Sequence, residues 1–345
     1  MKKILLVTYS LTDGGGTKRV RLIKQILEDN GMEASIVSFL DFSQGKKLSL
    51  ITAVKFLLYL YKLIKNENYS TIVCCNSRSF MPVCKAISMV SEVRYINLVQ
   101  IVYENHFFLL KYFYADKIIS VSKAVSDYLI QKQGLKKESI TLIRNSNPSL
   151  TPITEEEVGK VKENLSLRNT FVISCIARYD PVKGHTYLLQ AFEELQKKYP
   201  DIRLLLMGYG DYYETIVQDI NDLKLSENVV FVKSTHPVNE IMMISDLLVL
   251  PSLREGLPTM IIEAFSLGKT VIASDIPGTN EIVRHKYNGL LCQVKDSKSL
   301  KENMELLYEN GELKKELEKN ALATYRNEFS FNQYKLQIVD IFQSV

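Results

Sequence analysis

Twice along this chain, short runs of aliphatic and β-branched residues alternate with longer segments of helical periodicity, and that rhythm restricts the fold more than any other feature. In the first half, strands are predicted at Lys3–Thr8, Ser35–Phe39, Thr71–Cys75, Arg94–Val99, Lys117–Val121 and Ile140–Ile143. Helical patterns fall between them at Thr17–Glu28, Leu50–Lys65 and Ala124–Gln133. Runs such as Ile4-Leu5-Leu6-Val7 are apolar at consecutive positions, so both faces of their sheet need cover, as in a parallel sheet built from βαβ units. The pattern breaks at Asn145-Ser146-Asn147-Pro148, followed by Thr151-Pro152 and an acidic helix start at Thr154-Glu155-Glu156-Glu157. Beyond this break, read as the interdomain linker, the rhythm restarts. Strands are expected at Phe171–Ala177, Arg203–Met207, Val229–Val232, Leu247–Leu250 and Thr270–Ala273, and helices at Gly184–Tyr199, Tyr212–Leu223 and Pro258–Leu267. A chain of 345 residues also exceeds one ordinary core. The expected fold class is therefore α/β, with two doubly wound parallel-sheet domains facing across a cleft. Their bounds are residues 1–148 and 149–328, with a C-terminal helix over 329–345 packing back on the first domain. In such sheets ligands bind beyond the carboxyl ends of the strands.

A hydrophobic fraction of 46% and a charged fraction of 24% exclude a disordered chain. The five cysteines form an odd set without a CxxC pair. They are expected as reduced, mostly buried thiols of a cytoplasmic protein, not as a disulfide framework or a zinc site. The apolar run Ile4–Val7 is too short for a signal peptide, and no stretch reaches the roughly 18 uncharged apolar residues of a spanning helix. A soluble or peripheral protein is expected. Charge is uneven: residues 1–145 carry 21 Lys and Arg against 11 Asp and Glu, a net +10, while the remainder carries 22 against 28, a net −6.

Three features fall at expected carboxyl ends. Ala177-Arg178-Tyr179-Asp180-Pro181-Val182-Lys183-Gly184 follows a strand and opens a helix, setting a forked and a point-charge cation beside a helix N-terminus, which suits a diphosphate. Taken alone, a basic pair is more often two solvated loop charges. Pro251-Ser252-Leu253-Arg254-Glu255-Gly256-Leu257-Pro258-Thr259 leads into a second helix carrying Glu263. Pro258 suits its first turn and Gly268 its exit, so the N–H groups of Gly256–Met260 are left facing an anion. Glu255 and Glu263 can touch different parts of one elongated ligand, although either alone would pass as a surface glutamate. Met207-Gly208-Tyr209-Gly210-Asp211 permits a tight strand-to-helix turn.

In this order and spacing the features resemble the retaining GT-B glycosyltransferases of the "group 1" type, over essentially the whole chain. The Gly14-Gly15-Gly16 loop, Ala115-Asp116-Lys117-Ile118-Ile119-Ser120-Val121-Ser122, Pro277-Gly278-Thr279-Asn280-Glu281-Ile282-Val283 and Asn288-Gly289-Leu290-Leu291 extend the resemblance. It implies two Rossmann-like domains, the first binding the acceptor and the second a sugar nucleotide, most readily a UDP-sugar. It further implies that Arg178 and Lys183 neutralise the donor diphosphate as it leaves, that Glu263 bonds the ribose and that Glu255 bonds the transferred sugar. The N–H groups around Gly256, Leu257, Pro258 and Thr259 would hold sugar and phosphate. Gly15 and Gly16 would let the first-domain backbone approach the phosphate, and the base would lie near Val232. A hexosyl or N-acetylhexosaminyl transfer without a metal or other cofactor is implied, serving cell-surface polysaccharide or glycoconjugate synthesis. Relatives place a histidine at the end of a first-domain strand; here Gln100 stands at that end and His106 follows, so both are candidates. A lone histidine beside Phe107-Phe108 is more often packed than functional.

Leu50–Lys65 interleaves apolar and aromatic residues with Lys55, Lys62 and Lys65, and Phe107–Tyr114 repeats the theme around Lys111. Buried helices with outward lysines would read the same. The +10 charge favours an anionic membrane surface as a partner, hence a peripheral position at the inner face of the plasma membrane, with a saccharide or lipid-linked acceptor. No nucleic-acid motif accompanies the charge, so nucleic acid is not expected as a partner. Two rivals share the fold: a sugar-nucleotide epimerase or hydrolase, which would need a general base beyond His106, and a non-catalytic sugar-nucleotide-binding subunit. A Rossmann dehydrogenase fails because Arg19 stands where the third glycine of the fingerprint belongs.

Overall fold

The aliphatic runs of the first half assemble into one parallel sheet. The computed structural model describes residues 2–11, 15–46, 49–75, 80–102 and 115–344. The strands are β1 (Lys3–Thr8), β2 (Glu33–Ser38), β3 (Thr71–Cys75), β4 (Arg94–Val99), β5 (Lys117–Ser120) and β6 (Ile140–Leu142). Their order is β2-β1-β3-β4-β5-β6, with parallel pairing throughout, so the winding reverses between β1 and β3. β3 is buried at every position, because helices cover both faces.

This sheet belongs to the first of two units, made of residues 1–145 and 332–345; the second spans Ser146–Phe331. On the first unit, the helix Leu50–Glu67 starts at a capping box of Ser49 and Thr52, which satisfies two orphan donors at once. Its inner face locks through Phe56, whose ring lies 5.3 Å from Phe39 and 5.4 Å from Phe80. The C-terminal helix Phe331–Ser344 is held to this unit at both ends. The buried Arg19 guanidinium lies 4.9 Å from the Tyr334 ring centre, a cation–π contact strengthened by desolvation. At the other end Lys2 Nζ donates to the Gln343 carbonyl at 2.6 Å, a cation matched to the negative end of a helix dipole.

The second sheet comprises β7 (Phe171–Ile176), β8 (Ile202–Gly208), β9 (Val229–Lys233), β10 (Leu247–Leu250), β11 (Val271–Ser274) and β12 (Leu290–Cys292). Its order is β12-β11-β10-β7-β8-β9, again parallel. Read from β9, this is the 3-2-1-4-5-6 winding of dinucleotide-type sheets, whose switch point lies between the first and fourth strands, here β7 and β10. Its core includes Leu188, Phe192, Leu204, Leu206, Val249 and Ile272, all without exposed surface, each such side chain contributing about 1.5–3 kcal/mol.

Two doubly wound sheets are thus as expected, and the differences are local. Gly15 and Gly16 do not form a loop: they are the first residues of the helix Gly15–Asp29. That helix can open on glycine because its first N–H groups lack intrahelical partners in any case, and Arg21 ties its start to the Leu11 carbonyl at 3.1 Å. Pro258 stands at the residue just before the helix Thr259–Ser266 and does not enter its first turn. The short strand β12 and the helices Met81–Ser91 and Val238–Ile244 were not expected from the sequence. All five cysteines are buried, and none is in a disulfide; burial pushes the Cys175 thiol up to about 12, so it is inert.

Candidate active site

The two strands at the switch point of the second sheet, β7 and β10, each end in a loop, and these loops are joined to each other through the backbone. After β7, Asp180 accepts a hydrogen bond from the Val182 N–H at 3.0 Å and caps the single turn Pro181–Lys183. Gly184 then turns the chain at φ +71° into the helix His185–Lys198. A Cβ at Gly184 would fall on the Pro251 carbonyl oxygen, so only glycine lets the two loops pack this closely. The Leu253 N–H donates to the Val182 carbonyl at 2.7 Å and fastens them.

This closeness brings together residues 72 positions apart. Lys183 Nζ lies 2.6 Å from Glu255 Oε1, and the Ser252 hydroxyl donates to the same oxygen at 2.7 Å. The Lys183 and Glu255 side chains are only 18% and 11% exposed, so the pair is partly withdrawn from water. Arg178 is about half exposed and pairs with Asp180 at 3.1 Å, an interaction weak enough to be exchanged for another anion. A third loop closes the set: a Cβ at Gly278 would strike the Gly256 carbonyl, and φ there is +89°. Gly256, Leu257 and Pro258 are buried beneath it. Pro258 gives the helix Thr259–Ser266 no side-chain cap, so first-turn N–H groups are open to an anionic ligand.

Glu263 is half-buried in that helix, and its carboxylate accepts from the Asn147 side-chain amide. The Leu150 N–H donates to Ser266 Oγ at 3.2 Å, so the segment following Ser146 is seated along the helix. The Val232 side chain lies in the core beside Met207 and Leu205, which leaves only its backbone for a ligand. Gly15, Gly16 and Gln100 belong to the other unit. Gln100 stands at the end of β4, and its buried Nε2 has no partner among the described residues. His106 lies outside the described residues, as does the segment Phe107–Tyr114.

Sequence reading missed His185. It is buried, its Nε2 is 4.0 Å from Cys175 Sγ, and the Tyr179 ring meets it edge-on at 5.5 Å. Burial, followed by the Lys183 charge, lowers its pKa from 6.5 to about 4, so the imidazole beneath Lys183 is neutral. The only sequence signal was its place directly after Lys183-Gly184. Among the described residues no three His, Cys, Asp or Glu side chains gather as a metal ion would require.

Comparison with known proteins bears on the family and the fold. Residues 160–324 match the family described as Glycosyl transferases group 1. A Haemophilus influenzae protein named an uncharacterized glycosyltransferase is 27% identical over 343 residues, covering 91% of this chain and 92% of that protein. The Campylobacter jejuni N,N'-diacetylbacillosaminyl-diphospho-undecaprenol alpha-1,3-N-acetylgalactosaminyltransferase is 26% identical over 319 residues, covering 86% and 82%. Among solved structures, Anabaena HepE in complex with UDP-glucose superposes with a TM-score of 0.84 at 21% identity over 100% of both chains. A Rickettsia africae glycosyltransferase gives 0.85 at 20% identity over 99% and 98%. At these identities the solved structures establish the GT-B fold.

Proposed function

We propose, from the match of residues 160–324 to the family Glycosyl transferases group 1, that the chain is a member which moves a hexosyl or N-acetylhexosaminyl group from a UDP-sugar to a lipid-linked saccharide, with retention of anomeric configuration. The observation that carries the reading is the meeting of Lys183, Glu255 and Ser252 at the switch point of the second sheet. The names of two relatives support the acceptor class. The Campylobacter jejuni enzyme is named for a diphospho-undecaprenol acceptor. An Escherichia coli relative, 25% identical over 286 residues, is named UDP-Gal:alpha-D-GlcNAc-diphosphoundecaprenol alpha-1,3-galactosyltransferase. The UDP-glucose held by Anabaena HepE supports the donor class.

In the proposed reaction the bond from the anomeric carbon to the diphosphate oxygen breaks. A bond to the acceptor hydroxyl forms on the same face of the ring, and the hydroxyl proton passes to the departing diphosphate. Lys183, Arg178 and the open N–H groups before Met260 meet the charge that develops on the leaving group. Glu255 bonds hydroxyls of the transferred sugar. Glu263 bonds the ribose, sharing its carboxylate with Asn147. Because the chain supplies the cations, the reading needs no metal. A lipid-linked acceptor puts the reaction at the cytoplasmic face of a membrane.

A thermal-shift screen of UDP, GDP, ADP and their sugar conjugates, with and without EDTA, tests the donor site. Ligand at about a hundred times its Kd should stabilise the protein by about 2.7 kcal/mol, unaffected by EDTA and lost in Lys183→Ala. No stabilisation by any nucleotide, or equal stabilisation of Lys183→Ala, would remove the reading.

A further inference from the structure

The helix Leu50–Glu67 is locked inward by Phe56, Leu60 and Ile64, yet its outer face is not polar. Leu50 is 83% exposed, Ile51 69%, Val54 50% and Leu58 53%. At about 100° per residue these four fall within an arc of about 100°, with Lys55 and Lys62 along one edge and Lys65 one turn further on. All three lysines are exposed, and the one acidic residue of the helix, Glu67, stands at its end and off this face. The stripe runs about 12 Å along the axis. Four aliphatic side chains in water with lysines alongside are the reverse of the usual polar outer face of a helix packed on a sheet. None of the helices in the described residues is long and apolar enough to cross a membrane.

We propose that this face docks the first unit onto an anionic lipid bilayer, with Leu50, Ile51, Val54 and Leu58 entering the headgroup boundary and Lys55, Lys62 and Lys65 pairing with lipid phosphates. The inference deepens the reading of a lipid-linked acceptor and rests on it. Charge favours lipid as the occupant: the lysines of the face add to a net +10 over residues 1–145, which repels a second copy of the same face and attracts an anionic leaflet. Chain direction adds a second argument. The helix precedes β3 and, as a crossover between parallel strands, runs against them. Leu50 and Ile51 therefore lie at the carboxyl edge of the sheet, the edge at which such folds take their ligands. Docking there brings the acceptor side of the unit to the surface in which a lipid-linked saccharide resides.

The test is sedimentation of the full chain with vesicles of phosphatidylglycerol and phosphatidylcholine, and with phosphatidylcholine alone. The wild type should bind the anionic vesicles and release at high salt. Lys55→Gln/Lys62→Gln/Lys65→Gln should bind about a hundredfold more weakly, at roughly fivefold per lysine. Ile51→Asp/Leu58→Asp should fail to bind even at low salt. Both variants change only surface positions and should keep the wild-type thermal shift with a UDP-sugar. Wild type that ignores anionic vesicles, or variants that bind like wild type, would overturn the inference while leaving the donor site standing. A wild-type dimer that Ile51→Asp/Leu58→Asp dissolves, without vesicle binding, would assign the face to a second copy and also overturn it. Vesicle binding as predicted without any nucleotide stabilisation would support this surface and remove the transferase reading instead.

Discussion

Replacing Glu255 by glutamine separates two roles: the hold on Lys183 seen in the structure and the proposed contact to the transferred sugar. Its Oε1 accepts from Lys183 at 2.6 Å and from Ser252 at 2.7 Å, and glutamine keeps both acceptances while removing the charge. At an effective dielectric of about 20, the gross attraction at that separation is about 6 kcal/mol. Desolvation of both ions offsets most of this, leaving a net coupling of about 1–2 kcal/mol. On the proposed reading, a donor diphosphate has to share Lys183 with this resident carboxylate. Glu255→Gln should therefore bind free UDP about 5–30 times more tightly, the same 1–2 kcal/mol expressed as affinity. Turnover should fall by about a hundredfold to a thousandfold, because a charge-assisted contact to the transferred sugar is lost. Titration calorimetry with UDP and initial rates on the same preparation read the two effects. UDP affinity unchanged or weakened in Glu255→Gln would refute the idea that Glu255 holds the phosphate-binding lysine.

Gly184→Ala should cost about 2–4 kcal/mol, since it combines a strained positive φ with a Cβ driven onto the Pro251 carbonyl; a melting curve checks it, and an unchanged Tm would contradict it. His185 has a folded pKa near 4 against 6.5 unfolded. The unfolded chain therefore binds the extra proton, and stability present above pH 6.5 is lost as pH falls toward 4, by about 3 kcal/mol. Urea unfolding across that window should show this loss in the wild type and a smaller one in His185→Phe. Tyr334→Ala should destabilise the first unit by about 3–5 kcal/mol through the cavity and the stranded Arg19, with nucleotide stabilisation of the second unit retained; urea melts and thermal shifts separate the two.

Most strands of both sheets were legible because those buried on both faces read as unbroken apolar runs: β1, β3, β4 and β10 fall at their expected bounds. β12 was not, since three residues in a loop-rich stretch give no periodicity to read. At the site, Arg178, Lys183, Glu255 and Glu263 could be picked out by residue type and by their positions next to predicted strand ends. Their partners could not. The Lys183–Glu255 pair depends on β7 and β10 being neighbours in the sheet, and chain order alone does not say so. Gly208 and Gly210 were read as serving their own turn, whereas a Cβ at either would strike the backbone of the β7 loop at Ala177 or Tyr179. Asn147 was read as linker, yet it holds Glu263. Gly15 and Gly16 were misplaced because glycine signals a loop by propensity, although a helix start tolerates it.

Sugar transfer itself is the most direct test of the account. The purified chain, incubated with a panel of UDP-sugars and an undecaprenyl-diphosphate-linked saccharide, should release UDP only when both substrates are present. The glycolipid should gain the mass of one sugar, and Lys183→Ala should lose both signals together. UDP release without a mass gain, or equal transfer by Lys183→Ala, would contradict it.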